Sequence, residues 1–296
     1  MFFALPPVRL TPPPLSELSA GAAADVARAL AEDVATGDLT AHLINDTRQA
    51  SARILARETA VICGRPWVEQ TCRQVDPAIS LTWHIEEGAL CTPDAVVLEL
   101  AGPAQSLLTA ERVMLNFLQL LSAVASKTHE YVAAVAGTQA KIVDTRKTLP
   151  GLRMAQKYAV AVGGGANHRL GLFDAILIKE NHIAAAGGVT AALRAAYELT
   201  LKKANVKFVQ IEVETLDQLR EALACGANMI LLDNMALPQL REAVAIADGR
   251  AVLEISGGVT LAGLAALAQT GVDRISIGAL TKDVKATDFS MRFAGV

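Results

Sequence analysis

The chain of 296 residues is poor in several things, and each shortage removes a class of function. Aromatic residues make up only 4%, too few for the stacking platforms on which proteins lay out single-stranded nucleic acid. Net charge is −3, from 27 basic and 30 acidic residues, so no field of one sign draws the whole surface to nucleic acid or an anionic membrane. The longest uncharged apolar stretch, Val113 to Ser126, carries Asn116 and Gln119 and falls short of the roughly 20 residues that span a bilayer. The opening MFFALPPVRL shows neither a basic n-region nor a long apolar run, so the expected compartment is the cytoplasm. The four cysteines, Cys63, Cys72, Cys91 and Cys225, have no metal-ligand spacing, and their apolar neighbours mark them as small buried hydrophobes. What the chain has in quantity is apolar residues, at 52%. That is enough to bury roughly three quarters of the unfolded surface in one large or two modest domains, which excludes disorder.

Early in the chain, apolar residues at helical spacing predict a helix from about Leu15 to Glu32 after a proline-studded lead. Ser51–Val61, Ser80–Ile85 and Ala95–Leu100 read as short strands separated by turn signals, a small mixed α+β unit. From Ala104 to about Ala136 neither Gly nor Pro interrupts an amphipathic pattern, and Gly137 stands where a C′ glycine would stop the helix.

Beyond Gly137, apolar runs alternate with alanine-rich helical segments, as in βα units around a parallel sheet. Six runs end in polar or glycine residues: at Arg146, Lys179, Glu212, Asp233, Ser256 and Gly278. Intervals of 21 to 33 residues leave room for a helix and a return each time. A β/α barrel collects its site on such a rim, with phosphate often held by glycine loops after the last strands. A doubly wound open sheet is the alternative, but there polar ends would cluster at one switch point instead of recurring on every strand.

Charge is segregated. Residues 141–179 hold seven Lys or Arg (Lys141, Arg146, Lys147, Arg153, Lys157, Arg169, Lys179) against Asp144 and Asp174, a local +5 that leaves −8 for the rest. Such a run is usually a solvated face, but here several of the charges lie at strand ends, inside the rim. Gly163-Gly164-Gly165-Ala-Asn167-His168-Arg169 adds main-chain N–H groups without Cβ obstruction and an arginine suited to a planar carboxylate. Ser256-Gly257-Gly258 and Ile277-Gly278-Ala279 suit a phosphomonoester. Glu212 and Asp233 carry the opposite sign. Either they neutralise basic neighbours or they face a developing cation or a Mg²⁺ carried on a diphosphate. His42, His84, His129 and His182 show no ligand spacing and read as structural.

Together these segments resemble the quinolinate phosphoribosyltransferase family, the carboxylating nicotinate-nucleotide pyrophosphorylases of NAD synthesis. The resemblance rests on Gly37-Asp-Leu-Thr40, Glu111-Arg112, Asp144-Thr-Arg-Lys-Thr-Leu-Pro-Gly-Leu-Arg153, Lys157 through Gly-Gly-Gly to Asn167-His-Arg-Leu-Gly171, Leu177-Ile-Lys-Glu-Asn-His182, Leu232-Asp-Asn234 and Ser256-Gly-Gly258. It implies an α/β fold of type II phosphoribosyltransferase kind. An N-terminal α/β sandwich domain would cover residues 1–112, with the tail 281–296 returning to it, and an open β/α barrel would cover 113–280. It further implies a homodimer, or a hexamer built from it, with Arg112 donated across the interface. Arg146, His168, Arg169 and Lys179 would surround the quinolinate carboxylates, with Lys147 toward the diphosphate and Thr145 also binding substrate. Glu212 and Asp233 would lie near the ribose and Mg²⁺, and the Ser256–Gly258 and Ile277–Ala279 loops, with Lys282, would seat the 5′-phosphate. Lys147, Lys179, Glu212 and Asp233 would act in catalysis. Mg²⁺ would arrive mainly on phosphoribosyl pyrophosphate, with no protein metal ligands, no nucleic acid and no membrane.

Two positions depart from the family pattern: Ser122-Ala123 replaces Ser-Gly, and Thr281-Lys282 replaces Thr-His. Rival readings are a related phosphoribosyltransferase acting on another pyridine or pyrimidine acid, of the molybdenum-transport-associated type, a non-enzymatic nucleic-acid binder, and an aldolase using Lys179 as a Schiff base.

Overall fold

The computed structural model describes all residues except 1–4, 6, 7, 9, 46, 204, 295 and 296, and the chain forms two compact units. The sheet unit comprises residues 13–129, 147–164 and 279–296. Its strands are β1 (Gln49–Ala56), β2 (Ala60–Val61), β3 (Ser80–Trp83), β4 (Leu90–Cys91) and β5 (Val96–Pro103). The barrel unit holds β6 (Lys141–Val143), β7 (Ile176–Ile178), β8 (Val209–Val213), β9 (Met229–Asp233), β10 (Val252–Ser256) and β11 (Arg274–Ser276). A last strand, β12 (Phe289–Phe293), returns to the sheet unit.

In the sheet unit the order is β12-β1-β5-β3, antiparallel throughout, with β2 and β4 as a separate pair. Alternation decides which face is buried: Ala52, Ile54 and Ala56 on β1 and Leu98 and Leu100 on β5 are fully enclosed, while Arg53 and Glu99 pair at 2.7 Å on the other face. Leu107, Ala110, Met114, Leu115 and Leu118 of the helix Ala104–Ala134 close the same core. That helix is long and apolar enough to cross a membrane by length and composition, and its apolar face is instead spent on this core. All four thiols are buried, and burial pushes Cys72 up to about 12.

Three expectations shift. The helix foreseen over Leu15–Glu32 is two, Leu15–Ser19 and Ala22–Asp33; the first ends in a tight turn at Ala20, and Gly21 is a poor helix former. The long helix stays with the sheet unit through His129, whereas the sequence suggests a boundary at 112, because its apolar stripe continues past that point. Residues 147–164 also belong to the sheet unit, although they follow a barrel strand. There Tyr158 packs edge-on to Trp67 at 5.2 Å, and buried Gln156 donates to the Thr281 carbonyl.

In the barrel unit the order β6-β11-β10-β9-β8-β7 is parallel throughout. The first strand neighbours the last and no strand order reverses, which is the order of a barrel with one open seam between β6 and β7. Ala166 covers the free edge of β6: its N–H donates to the Ile142 carbonyl (2.8 Å) and its carbonyl accepts from the Asp144 N–H (3.0 Å). At the opposite end of the strands, Val8 and Leu10 pack on Ala175, Phe208 and Met229. Helices Leu216–Ala224 and Leu261–Ala268 start where Thr215 and Thr260 accept hydrogen bonds from the N–H groups of Gln218 and Gly263.

Candidate active site

Strand ends set the rim. Reading across the sheet from β6, the polar ends are Thr145-Arg146, then Ile277-Gly278 after β11, Ser256–Gly258 after β10, Asp233 on β9, Glu212 on β8 and Lys179 after β7. Glu212 and Asp233 therefore stand between Lys179 and the glycine loops. Lys179 donates to Glu212 at 2.9 Å. Burial raises the Glu212 carboxyl above its ordinary range; Lys179 opposes the shift, and the charges of Asp233 and Glu180 add to it.

The seam segment 166–171 is tied down by two carboxylates. Fully buried Asp144, just past β6, accepts from the His168 N–H at 2.8 Å and from the Asn167 amide at 2.7 Å. Asp174 accepts from the N–H groups of Leu170 and Gly171 at 3.0 and 3.1 Å. Burial pushes Asp174 up, but these N–H groups and Lys207 outweigh it and hold the carboxyl below its ordinary value. Arg169 is set between them; burial and the neighbouring Arg146 charge depress its guanidinium, and Asp174 partly restores it. The Arg169 guanidinium is thus held beside a like charge, an arrangement that an arriving anion would relieve.

The glycine run behaves differently from its reading in sequence. The Gly163 and Gly164 N–H groups donate to the carbonyls of Ala159 and Ala161, ending the helix Arg153–Val162. A Cβ on Gly163 would lie 2.4 Å from the Ala125 carbonyl oxygen. These glycines are caps and a close approach, because a helix that ends there must satisfy its last carbonyls.

The loop after β10 is a different case. Gly257 and Gly258 have φ of +96° and +57°, a region glycine enters at no steric cost. A Cβ on Gly257 would meet the Asn234 side-chain oxygen at 2.1 Å. Asn234, itself at φ +53°, donates its N–H to the Ser256 carbonyl and its amide to Asp233. The two loops thus lock to one another.

The structure gathers Thr145, Arg146, His168, Arg169, Lys179, Glu212, Asp233, Ser256, Gly257, Gly258, Ile277 and Gly278 in the barrel unit. Arg112, Lys147, Ala279 and Lys282 lie in the sheet unit, and Arg112, Lys147 and Lys282 are exposed. Sequence reading missed a layer beneath the rim. Gln210, Glu254 and Arg274 are buried, with Arg274 donating to Glu254 at 2.9 Å and Gln210 lying 2.8 Å from His168. A signal existed: Gln210/Glu212, Glu254/Ser256 and Arg274/Ser276 are polar pairs two residues apart within apolar strands, so one strand face points into a polar interior.

Family models described as quinolinate phosphoribosyl transferase, N-terminal and C-terminal domains, match residues 38–122 and 124–292. The chain belongs to the quinolinate phosphoribosyltransferase family. Among relatives, a probable nicotinate-nucleotide pyrophosphorylase (carboxylating) of Bacillus subtilis (strain 168) is 42% identical over 260 residues, 88% of this chain and 89% of its own. The chloroplastic nicotinate-nucleotide pyrophosphorylase (carboxylating) of Arabidopsis thaliana is 39% identical over 282 residues, 89% of this chain and 80% of its own. The solved nicotinate-nucleotide pyrophosphorylase of Francisella tularensis superposes with a TM-score of 0.89 at 43% identity, covering 93% of this chain and 96% of that one. For a quinolinate phosphoribosyltransferase family member, an α/β chain with a separate N-terminal sheet unit and a parallel barrel is the expected architecture, and the likeness to solved relatives extends over both units.

Proposed function

We propose that this chain transfers the phosphoribosyl group of phosphoribosyl pyrophosphate to quinolinate, releasing diphosphate and CO₂ and giving nicotinate mononucleotide for NAD synthesis. The observation that carries this reading is the order of residues along one rim, with basic side chains at the seam, a glycine loop after β10 and a carboxylate pair between them. Arg146, Arg169 and Lys179 cluster about the β6–β7 seam, the glycine loop lies after β10, and Glu212 and Asp233 stand on β8 and β9. The names carried by the Bacillus and Francisella relatives support the same activity.

The basic cluster takes the pyridine dicarboxylate, with Thr145 and His168 beside it, and so offsets the repulsion between a dianion and a polyanion. Gly257, Gly258, Ile277 and Gly278 hold the 5′-phosphate; the family resemblance adds Ala279 and Lys282 to that role and assigns Lys147 to the diphosphate. The pyridine nitrogen displaces diphosphate at ribose C1, where Glu212 and Asp233 stabilise the developing positive charge. The C2 carboxylate then leaves as CO₂; its bonding pair stays on C2 beside the cationic nitrogen and takes up a proton. Mg²⁺ enters as part of the phosphoribosyl pyrophosphate complex. The two rim carboxylates Glu212 and Asp233 suit a cation already held by diphosphate. The protein works as a cytoplasmic homodimer or hexamer, with exposed Arg112 completing the neighbour's dicarboxylate subsite.

The test is product stoichiometry. Incubation with quinolinate, phosphoribosyl pyrophosphate and Mg²⁺ gives one CO₂ per diphosphate, and Arg146→Ala loses this turnover. Diphosphate release without CO₂ would assign a related phosphoribosyltransferase acting on another acid, and undiminished activity of Arg146→Ala would overturn the placement.

A further inference from the structure

The buried layer under the rim has a chemistry of its own. His168, 8% exposed, has both ring nitrogens engaged. Nδ1 accepts from the Arg169 N–H at 2.8 Å, so it carries no proton, and Nε2 must be the donor to the Gln210 side-chain oxygen at 2.8 Å. Glu254 lies beyond: one of its oxygens accepts from Arg274, and the other sits 3.6 Å from His168 Nε2 with no hydrogen-bond partner. Glu254 is fully buried, which alone would push its carboxyl up, yet its neighbours His168 and Arg274 bring it below its ordinary value. An ionised, half-satisfied carboxylate is costly in such a place, and it faces the one titratable ring of the dicarboxylate subsite.

We propose that Glu254 is a positioning residue for the dicarboxylate, acting through His168: with Gln210 it fixes the ring as the Nε2–H form, and its charge lets the ring gain a second proton when substrate binds. This inference rests on the function proposed above. The proton comes from solvent and bonds to Nδ1; the Arg169 N–H contact is given up, and the new Nδ1–H donates to a substrate carboxylate. The charged groups facing His168 are Glu254 from β10 with Arg274 behind it on β11, Asp144 at its backbone from β6, and Arg169 next in the chain. Gln210 from β8 and the Phe208 ring, edge-on at 5.4 Å, complete the setting and are neutral. Glu254 lies 3.6 Å from the ring Nε2 and bears a charge that stabilises the imidazolium at that atom.

The experiment is calorimetric titration of quinolinate into the full chain at pH 8, above the usual imidazole range of about 6.5, in two buffers of different ionisation heat. Wild type takes up close to one proton per site, and Glu254→Gln takes up close to none, with the quinolinate KM raised about tenfold and kcat within about twofold. An unchanged proton uptake or an unchanged KM in Glu254→Gln overturns the inference. Should that variant fail to fold, ¹⁵N-histidine NMR of wild type, with the signal assigned through His168→Asn, decides. A neutral ring in the presence of quinolinate overturns the proposal, and an imidazolium appearing only with quinolinate sustains it. A wild type that makes nicotinate mononucleotide normally but takes up no proton defeats this inference alone, whereas failure to make the product defeats the function.

Discussion

Replacing Gly257 by Ala tests the anion cradle at its tightest point. Two costs add. At φ +96° an L-residue is strained, which costs of order 1–3 kcal/mol. The new methyl would also stand 2.1 Å from the Asn234 side-chain oxygen, with the Asn234 nitrogen at 3.3 Å, so Asn234 must turn away and release Asp233, to which it donates at 2.8 Å. Losing that charge-assisted bond costs a further ~1–2 kcal/mol at this partly exposed place. Thermal unfolding should fall by roughly 4–20 °C on a scale of about 2–4 °C per kcal/mol. Steady-state kinetics should show kcat/KM for phosphoribosyl pyrophosphate down by about 10- to 100-fold, since each ~1.4 kcal/mol is a factor of ten. The KM for quinolinate should move far less, because the subsite proposed for it lies at the β6–β7 seam, away from the β10 loop. Pairing Gly257→Ala with Asn234→Gly removes the clash but leaves the strain, so the double variant should recover part of the stability lost. Wild-type stability and wild-type kinetics in Gly257→Ala would refute the cradle.

Other expectations follow from single contacts. Thr215→Ala removes the N-cap of the helix Leu216–Ala224 and should cost about 1 kcal/mol in denaturant unfolding while leaving kcat/KM unchanged. Asp144→Asn weakens the acceptor for two groups of the seam; stability should drop by about 1–3 kcal/mol, and the quinolinate KM should rise as Arg169 loses its frame. The Glu254 carboxyl lies lower in the folded protein than in the unfolded chain. Its contribution is therefore present above the unfolded value of about 4.3 and lost as pH falls through the folded one. Unfolding free energies at pH 7 and pH 3.5 should differ less in Glu254→Gln than in wild type.

Much of this was legible beforehand because parallel strands announce themselves at their ends. The six polar run-ends map onto β6 to β11 and their rim, and the long helix from Ala104 follows from its apolar stripe. The interior layer was not legible by the same route: Gln210 and Glu254 sit inside β8 and β10 and Arg274 opens β11, away from the strand ends that announce the rim, and a run that is apolar on average conceals a period of two. The glycine triplet misled for a related reason. Composition shows that main-chain N–H groups are unobstructed, but only the helix ending at Val162 shows that two of them are already spent. The affiliation of residues 147–164 was hidden because it depends on Trp67 and Thr281, both distant in sequence.

The return of β12 to β1 has a consequence for synthesis. Arg57 and Ser290, hydrogen-bonded at 2.9 Å, are 233 residues apart in the chain, a stretch that takes a ribosome roughly 10–50 s to make. Throughout that interval β1 has β5 on one side and an open row of main-chain donors and acceptors on the other. An unpaired edge of this kind invites pairing with a second nascent chain. Slower translation between β5 and β12 should therefore lower soluble yield without altering the finished protein, and chaperones that shield strand edges should restore it.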